Sequence, residues 1–117
     1  MTPQLIGSDE PSPADADGPS RDEVFTALSN RRRRNVIKYL KANGTEARVR
    51  DIAEQLAAWE NDLEIPEVTY KQRKRVYTAL HQSHLPKLAA SGFIDYESDR
   101  GLVSLTEESR QLEVYLE

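Results

Sequence analysis

At 117 residues, the chain has room for one compact core, since single domains commonly take about 100 to 150 residues. It has no cysteine and two histidines, His81 and His84, which excludes disulfides, thiolate metal sites and a metal site built from histidines alone. The net charge of -4 excludes a chain that is basic throughout, so any surface that binds nucleic acid must be local.

Charge is distributed unevenly along the chain. Residues 1–20 hold four acids and no Lys or Arg, residues 21–92 hold fourteen Lys plus Arg against nine acids, and residues 93–117 hold two against seven. These segments carry -4, +5 and -5 respectively. Arginine outnumbers lysine eleven to five, and an acidic total with little lysine is expected of proteins that work in concentrated salt.

Four of the six prolines fall in residues 1–20, among Asp, Ser, Ala and Gly. Such a mixture cannot bury enough apolar surface to offset the entropy lost on ordering. The sequence therefore predicts an acidic, proline-rich disordered tail over residues 1–20 and one folded domain over residues 21–117. It shows neither an apolar run of about 20 residues nor a secretory signal, which predicts a cytoplasmic protein without membrane contact.

Two helical runs follow the predicted tail. Ser20, with Glu23 three residues later, has the pattern of a capping box at the start of a helix. The apolar residues of this run share one face: Val24, Phe25 and Leu28. Ser29 or Asn30 can cap a second run through Asn43, and the pattern leaves open whether the two runs form one helix or two. The inward stripe of the second run is Val36, Ile37 and Leu40.

The middle of the chain predicts a short extended segment at 47–49 and then two helices. The first runs from about Arg50 to Trp59, and residues 60–67 break the pattern. The second is the longest helical pattern, residues 68–91, in which Pro86 should produce a kink or start a new helix. Apolar stripes at helical spacing are Ile52, Ala53, Leu56 and Ala57 in the first helix, and Tyr70, Val76, Tyr77, Leu80, His84 and Leu88 in the second.

The last third of the chain predicts a hairpin and a final helix. Two strands are predicted, at residues 93–97 and 102–105, on either side of a tight turn at 98–101. A two-stranded hairpin is marginally stable alone, so it must pack against the helices. Thr106 can cap a last helix from 107 to about 116. The predicted fold is therefore mainly α, of the α+β class, with the element order of a winged helix-turn-helix: a helix pair, a two-stranded β-hairpin wing and a C-terminal helix.

In that order of elements, the segment from Val68 to Gln82 occupies the position of the recognition helix, which enters the major groove. The predicted inward stripe leaves a cationic and hydrogen-bonding face outward, and this chemistry suits base edges and phosphates. The candidate DNA-binding residues on it are Thr69, Lys71, Gln72, Lys74, Arg75, Thr78 and Gln82. Arg73 lies nearer the apolar face and is expected either to bury its aliphatic stem or to pair with an acid. The alternative is that this basic cluster is only a solvated helix face.

Other basic residues are candidates for contacts to the DNA backbone. Residues 31–34 are four consecutive arginines, which point in different directions on a helix and cannot make one patch. At least one is expected to pair with an acid inside the protein. Arg100 lies at the hairpin tip, although Asp95, Glu97 and Asp99 would repel phosphate there. The candidates for backbone or wing contacts are Arg31, Arg34, Arg50 and Arg100.

Several short motifs together resemble the small haloarchaeal winged-helix proteins, which are similar to ArsR-like regulators. They lie between about residues 22 and 106 and are Leu28-Ser29-Asn30 with the four arginines, Val49-Arg50-Asp51-Ile52-Ala53, Arg75-Val76-Tyr77, His84-Leu85-Pro86-Lys87-Leu88 and Gly92-Phe93-Ile94-Asp95-Tyr96. The resemblance implies a winged-helix fold, a salt-adapted cytoplasm and a DNA-binding regulator. The chain lacks the cysteines of metal-sensing members, and its 60–67 linker is longer than the usual turn.

The sequence thus predicts a sequence-specific transcriptional regulator that binds double-stranded DNA and needs no cofactor or metal. The alternative is a winged-helix module that binds another protein. An enzyme is not expected, because no nucleophile, base and orienting group recur at a recognisable spacing and no small-molecule substrate is indicated. A homodimer is expected through the ends of the domain, including residues 106–117. The candidate interface residues are Val24, Phe25, Leu28, Leu112, Tyr115 and Leu116.

Overall fold

The computed structural model describes residues 20–112, which form five α-helices and three short strands. The helices are α1 (Arg21–Leu28), α2 (Arg31–Ala42), α3 (Val49–Asn61), α4 (Tyr70–Ala79) and α5 (Leu85–Ala90), and a π-helical turn, Leu80–His84, joins α4 to α5. The strands are β1 (Glu46–Arg48), β2 (Ile94–Glu97) and β3 (Leu102–Leu105), and 3-10 turns lie at Ile65–Glu67 and Glu107–Leu112. The described chain is mainly helical, which confirms the predicted α+β class. The predicted tail lies outside the described residues, apart from Ser20.

The first two helical runs are separate helices, which settles the question that the pattern left open. Ser20 and Glu23 form the predicted capping box, with Glu23 N donating to Ser20 Oγ at 3.1 Å and Ser20 N donating to Glu23 Oε1 at 2.8 Å. α1 ends at Leu28, and Asn30 then caps α2 because its side chain accepts hydrogen bonds from the backbone of Arg32 and Arg33. The break between the helices therefore depends on the polar pair at 29–30.

Near Pro86 the regular α-helix is interrupted, and α5 starts at Leu85, one residue before the proline, without a side-chain cap. The helix that starts at Tyr70 changes to π-helical hydrogen bonding just before the proline, with Leu85 N bonded to Leu80 O, and then continues as α5. Because proline has no N–H, the usual bond back to Gln82 cannot form, and the wider π turn accommodates the ring. Gly92 follows α5 with a φ of 87°, a backbone conformation that favours glycine at the end of a helix.

The hairpin is part of a three-stranded antiparallel sheet with the order β1-β3-β2. The strands β2 and β3 pair as predicted, with Tyr96 opposite Val103. β1 pairs with the other edge of β3, placing Ala47 opposite the same Val103, and this third strand extends the predicted two-stranded hairpin. Val49 N, at the start of α3, donates to Gly101 O at 2.9 Å. This bond ties the hairpin turn to α3.

The core lies between the helices and one face of the sheet. Its largest fully buried side chains are Phe93, Ile37, Leu40, Ile52, Leu56, Leu80, Leu85, Leu88, Leu112, Val36, Val49 and Val103. The predicted inward stripes of α2 and α3 are confirmed. The prediction was wrong for Tyr70 and Tyr77, which are 65% and 38% exposed. The rotation of α4 is set by Val76 and Leu80, and it leaves both tyrosines on a flank of the helix.

The carboxyl-terminal prediction also needs correction. A 3-10 helix covers Glu107–Leu112, and the Thr106 hydroxyl donates to Gly92 O at 2.6 Å instead of capping a helix. Three of the six expected dimer residues, Val24, Leu28 and Leu112, are buried in the chain's own core, so they are not available to a partner. Phe25 is exposed, whereas Tyr115 and Leu116 lie outside the described residues. Within residues 20–112, no helix is long and apolar enough to cross a membrane.

Candidate nucleic-acid interface

The candidate interface begins at the amino end of α4, where two predicted contact residues serve as a cap. Gln72 N donates to Thr69 Oγ1 at 3.0 Å, and Thr69 N donates to Gln72 Oε1 at 2.9 Å. These two bonds satisfy backbone groups that the first turn of a helix leaves unpaired. Thr69 and Gln72 therefore start the helix, since each side chain accepts a hydrogen bond from the backbone N–H of the other residue.

The cationic face of α4, defined here as Lys71, Lys74, Arg75 and Thr78, carries most of the remaining predicted residues. These four residues line one shallow surface depression. The three basic side chains are exposed, and Gln82 is exposed further along the helix. None of the three bases forms an ion pair with another residue between 20 and 112. A compact set of available cations beside a hydroxyl is thus presented to solvent.

Arg73 does not belong to this face. Its Nη1 lies 3.7 Å from Glu54 Oε2 on α3, so the structure shows the pairing with an acid, one of the two predicted alternatives. The Arg73 guanidinium also lies 5.5 Å from the ring centroid of Tyr70, and Lys74 Nζ lies 5.7 Å from the same centroid. Tyr70 therefore packs against two cations, a geometry in which the ring face is attracted to positive charge.

An aromatic cluster borders the cationic face. We define it as Tyr77, His81 and Tyr96. The rings of Tyr77 and His81 are stacked, with centroids 6.2 Å apart and planes 7° from parallel, and Tyr96 meets His81 edge to face at 6.0 Å. The Tyr96 hydroxyl is hydrogen-bonded to His81 Nδ1. Burial, together with Tyr77, raises the pKa of Tyr96. The cluster joins α4 to β2 and so fixes the hairpin against the helix.

The sequence pattern does not predict this cluster, because it places the tyrosines of α4 in the core. The spacing of Tyr70, Lys74, Tyr77 and His81 was the available signal, since steps of four, three and four residues place all of them on one stripe of a helix. Two polar or charged members on that stripe argue against a buried position for the whole stripe.

The four consecutive arginines have separate environments, and three of them have structural contacts. Arg33 is buried at 6% exposure. It donates from Nε to Ala27 O at 3.0 Å and from Nη2 to Thr26 O at 2.8 Å, and so satisfies carbonyls at the end of α1. Arg34 donates to Leu28 O. This bond makes Arg34 part of the joint between α1 and α2, and its contact to the DNA backbone stays a prediction.

Arg32 forms a two-point ion pair with Glu60 at the end of α3, with both hydrogen bonds at 2.8 Å. Those hydrogen bonds are the main cause of a raised pKa at Arg32. This pair confirms that at least one arginine of the run is neutralised internally. Arg31 and Arg50 are exposed. Arg100 at the hairpin pairs with Glu97 at 3.0 Å, which reduces the positive charge at that tip.

The described residues offer no metal site, since no group of three His, Asp or Glu side chains between 20 and 112 could hold an ion. No curated protein and no solved structure matches the chain. A family profile does match, and it covers all of the sheet except the last residue of β3, together with α2 to α5. The chain belongs to the family described as "Domain of unknown function (DUF7344)", which is matched over residues 25–104.

Proposed function

We propose that the protein is a winged helix-turn-helix transcriptional regulator that binds double-stranded DNA through α4. In this proposal α3 and α4 form the helix-turn-helix, and the β2-β3 hairpin is the wing. The element order supports it, because β1 lies between α2 and α3 and joins the sheet beside the hairpin. α3 packs extensively on α4, so the cationic face of α4 is held on a rigid support.

The observation that carries the proposal is the difference between the two basic regions of the protein. In residues 31–34 the guanidinium groups of three of the four arginines are taken up by a carboxylate or by carbonyl oxygens. On α4, Lys71, Lys74 and Arg75 have no acidic partner among the described residues and lie together around one depression. A protein does not need such a set of unpaired cations in order to fold, but it needs one in order to bind a polyanion.

The chemistry of the cationic face fits the major groove of duplex DNA. A groove about 12 Å wide admits one α-helix, and Arg75 has the paired donors that match the O6 and N7 atoms of guanine. Lys71 and Lys74 are point charges suited to phosphates, and Thr78 adds a hydroxyl that can donate or accept. In this arrangement Arg75 contributes sequence preference, and the lysines contribute affinity that is independent of sequence.

The wing is expected to add little affinity. Arg100 is already paired with Glu97, and Asp95 and Asp99 lie in the same hairpin. These acids repel phosphates, so the electrostatic attraction at the hairpin is weak. The proposal therefore assigns most of the binding energy to α4.

The test is selection from a pool of random duplex DNA in concentrated KCl, followed by sequencing of the bound fraction. We expect a short enriched motif, containing at least one guanine that the protein requires, and weaker retention of single-stranded DNA of the same sequence. Absence of enrichment, together with equal retention of any polyanion such as heparin, would contradict the proposal. Specific capture of a partner protein in place of DNA would favour a protein-binding module.

A further inference from the structure

The aromatic cluster lies on the flank of α4 that faces the hairpin. Val76 points into the core, and a rotation of 100° per residue places Tyr77 and His81 on one side of the helix, between Val76 and the cationic face. Tyr96 of β2 contacts His81 from that side. Tyr77 is therefore at the boundary between the cationic face and the side of α4 that faces the hairpin.

Tyr77 is held in place while remaining accessible. Its ring is stacked on His81, which is itself tethered by the Tyr96 hydroxyl, yet 38% of the residue is exposed. A tyrosine with only two side-chain torsions, fixed by stacking, loses little conformational entropy when it binds a ligand. The hydroxyl is therefore pre-organised to donate a hydrogen bond to an acceptor at a fixed position.

If α4 and the hairpin bind the same duplex, the position of this flank identifies the acceptor of a hydrogen bond from Tyr77. The inference therefore rests on the proposed function. A helix in the major groove and a hairpin over the neighbouring minor groove have one sugar-phosphate strand between them. We infer that the Tyr77 hydroxyl, presented by the stack with His81, donates a hydrogen bond to a phosphate of that strand. Lys74, one turn away, supplies the complementary charge beside it.

A contact between tyrosine and phosphate can be distinguished by experiment from a contact between lysine and phosphate. Tyrosine is neutral, so it releases no counterion when it binds, and its loss weakens binding without changing the salt dependence. Its partner carries no sequence information, so the loss is the same for preferred and unrelated sequences. A tyrosine ring that packed on a thymine methyl group would instead contribute affinity at one base pair only. Phenylalanine would keep that contact.

The experiment compares Tyr77→Phe, which removes only the hydroxyl, with Tyr39→Phe, which removes the hydroxyl of a half-buried tyrosine on α2. Affinity for the selected duplex and for an unrelated duplex is measured across KCl concentrations. We expect Tyr77→Phe to weaken both by about tenfold, as for a hydrogen bond to a charged group, with the slope against log salt unchanged. Tyr39→Phe should match the wild type.

A second arm locates the acceptor. Single phosphates of the duplex are replaced in turn by neutral methylphosphonate, and Tyr77→Phe should cease to matter at one linkage only. An unchanged affinity of Tyr77→Phe, a loss limited to one base pair, or a loss that persists at every methylphosphonate position would overturn the inference while leaving DNA binding by α4 intact. Failure of the wild-type protein to bind duplex DNA would instead remove the proposed function and the inference with it.

Discussion

Arg33 Nη1 lies 3.3 Å from Nδ1 of His84, across 51 positions of sequence. Since arginine can only donate, this contact makes Nδ1 the acceptor and places the proton of a neutral His84 on Nε2. The same guanidinium binds the end of α1 through Ala27 O and Thr26 O. One side chain thus connects α1 and α2 to the π turn that continues the candidate recognition helix.

Replacing Arg33 by Ala should destabilise the fold strongly, because the carbonyls of Thr26 and Ala27 at the end of α1 would lose the charged donor that the buried Arg33 supplies. We expect the free energy of unfolding to fall by about 3 kcal/mol. Arg31→Ala, which removes the exposed first arginine of the same run, should change it by about 0.5 kcal/mol or less. Denaturant titration of both variants measures the difference, and equal effects would contradict the assigned role of Arg33.

The stability of the protein should depend on the protonation of His84. Burial lowers the pKa of His84, and Arg33, Arg32 and Lys87 lower it further, against an opposing effect of Glu60. Between the usual histidine value of about 6.5 and the lower folded value, the unfolded chain holds more protons. The free energy of unfolding attributable to His84 should therefore decrease as pH falls through about 6.5, and level off below the folded pKa.

The measurement for His84 compares the wild type with His84→Asn, which keeps an acceptor near the position of Nδ1 but does not titrate. Denaturant titrations from pH 7.5 to pH 5 give the difference between the two proteins at each pH. As the pH falls, the free energy of unfolding of the wild type should decrease relative to that of His84→Asn. A difference that stays constant, or that shifts in favour of the wild type, would show that His84 does not titrate as argued.

The ion pair between Arg32 and Glu60 should contribute measurable stability. Its side chains are 28% and 20% exposed and share two hydrogen bonds, whereas Arg100 and Glu97 are 65% and 52% exposed and share one. A double-mutant cycle to Ala should give a coupling energy of about 1 kcal/mol for the first pair and a value near zero for the second. The cycle would fail to support this ranking if the hairpin pair coupled as strongly as the α2-α3 pair.

Arg75 should determine one base of the preferred site. Replacing it by Ala removes the paired donors that match guanine, so affinity for the selected duplex should fall by about 1 to 3 kcal/mol and preference at one position should relax. Arg75→Lys keeps the charge without the paired geometry and should lose the same preference with a smaller loss of affinity. Repeating the selection with each variant measures both effects. An unchanged motif would remove Arg75 from the set of base contacts.

Local sequence rules predicted much of the fold. The capping box of Ser20 and Glu23 and the stripe of Val36, Ile37 and Leu40 follow from patterns within a few residues, and the structure confirms them. The pairing of β1 with β3 joins segments more than fifty residues apart. No local pattern specifies such a partner, because it depends on how α2 and α3 place the strand beside the hairpin.

The site was harder to predict than the fold. The outward positions of Lys71, Lys74 and Arg75 followed from the apolar stripe of the helix, but Tyr70 and Tyr77 were assigned inward because tyrosine suits both a core and a surface. Four adjacent arginines look alike in sequence. That Arg33 is buried and Arg31 exposed depends on the angle between α1 and α2, which a one-dimensional pattern does not contain.

The most direct test of DNA binding by α4 is the affinity for duplex DNA of the triple variant Lys71→Ala, Lys74→Ala, Arg75→Ala. Its matched control also removes two lysines and one arginine, all exposed and on other elements: Lys38→Ala, Lys87→Ala, Arg110→Ala. Both variants should remain folded by circular dichroism. The account predicts loss of specific binding in the first, with a salt slope reduced by about two units or more, and near wild-type binding in the control. Equal affinities of the two folded variants would contradict it.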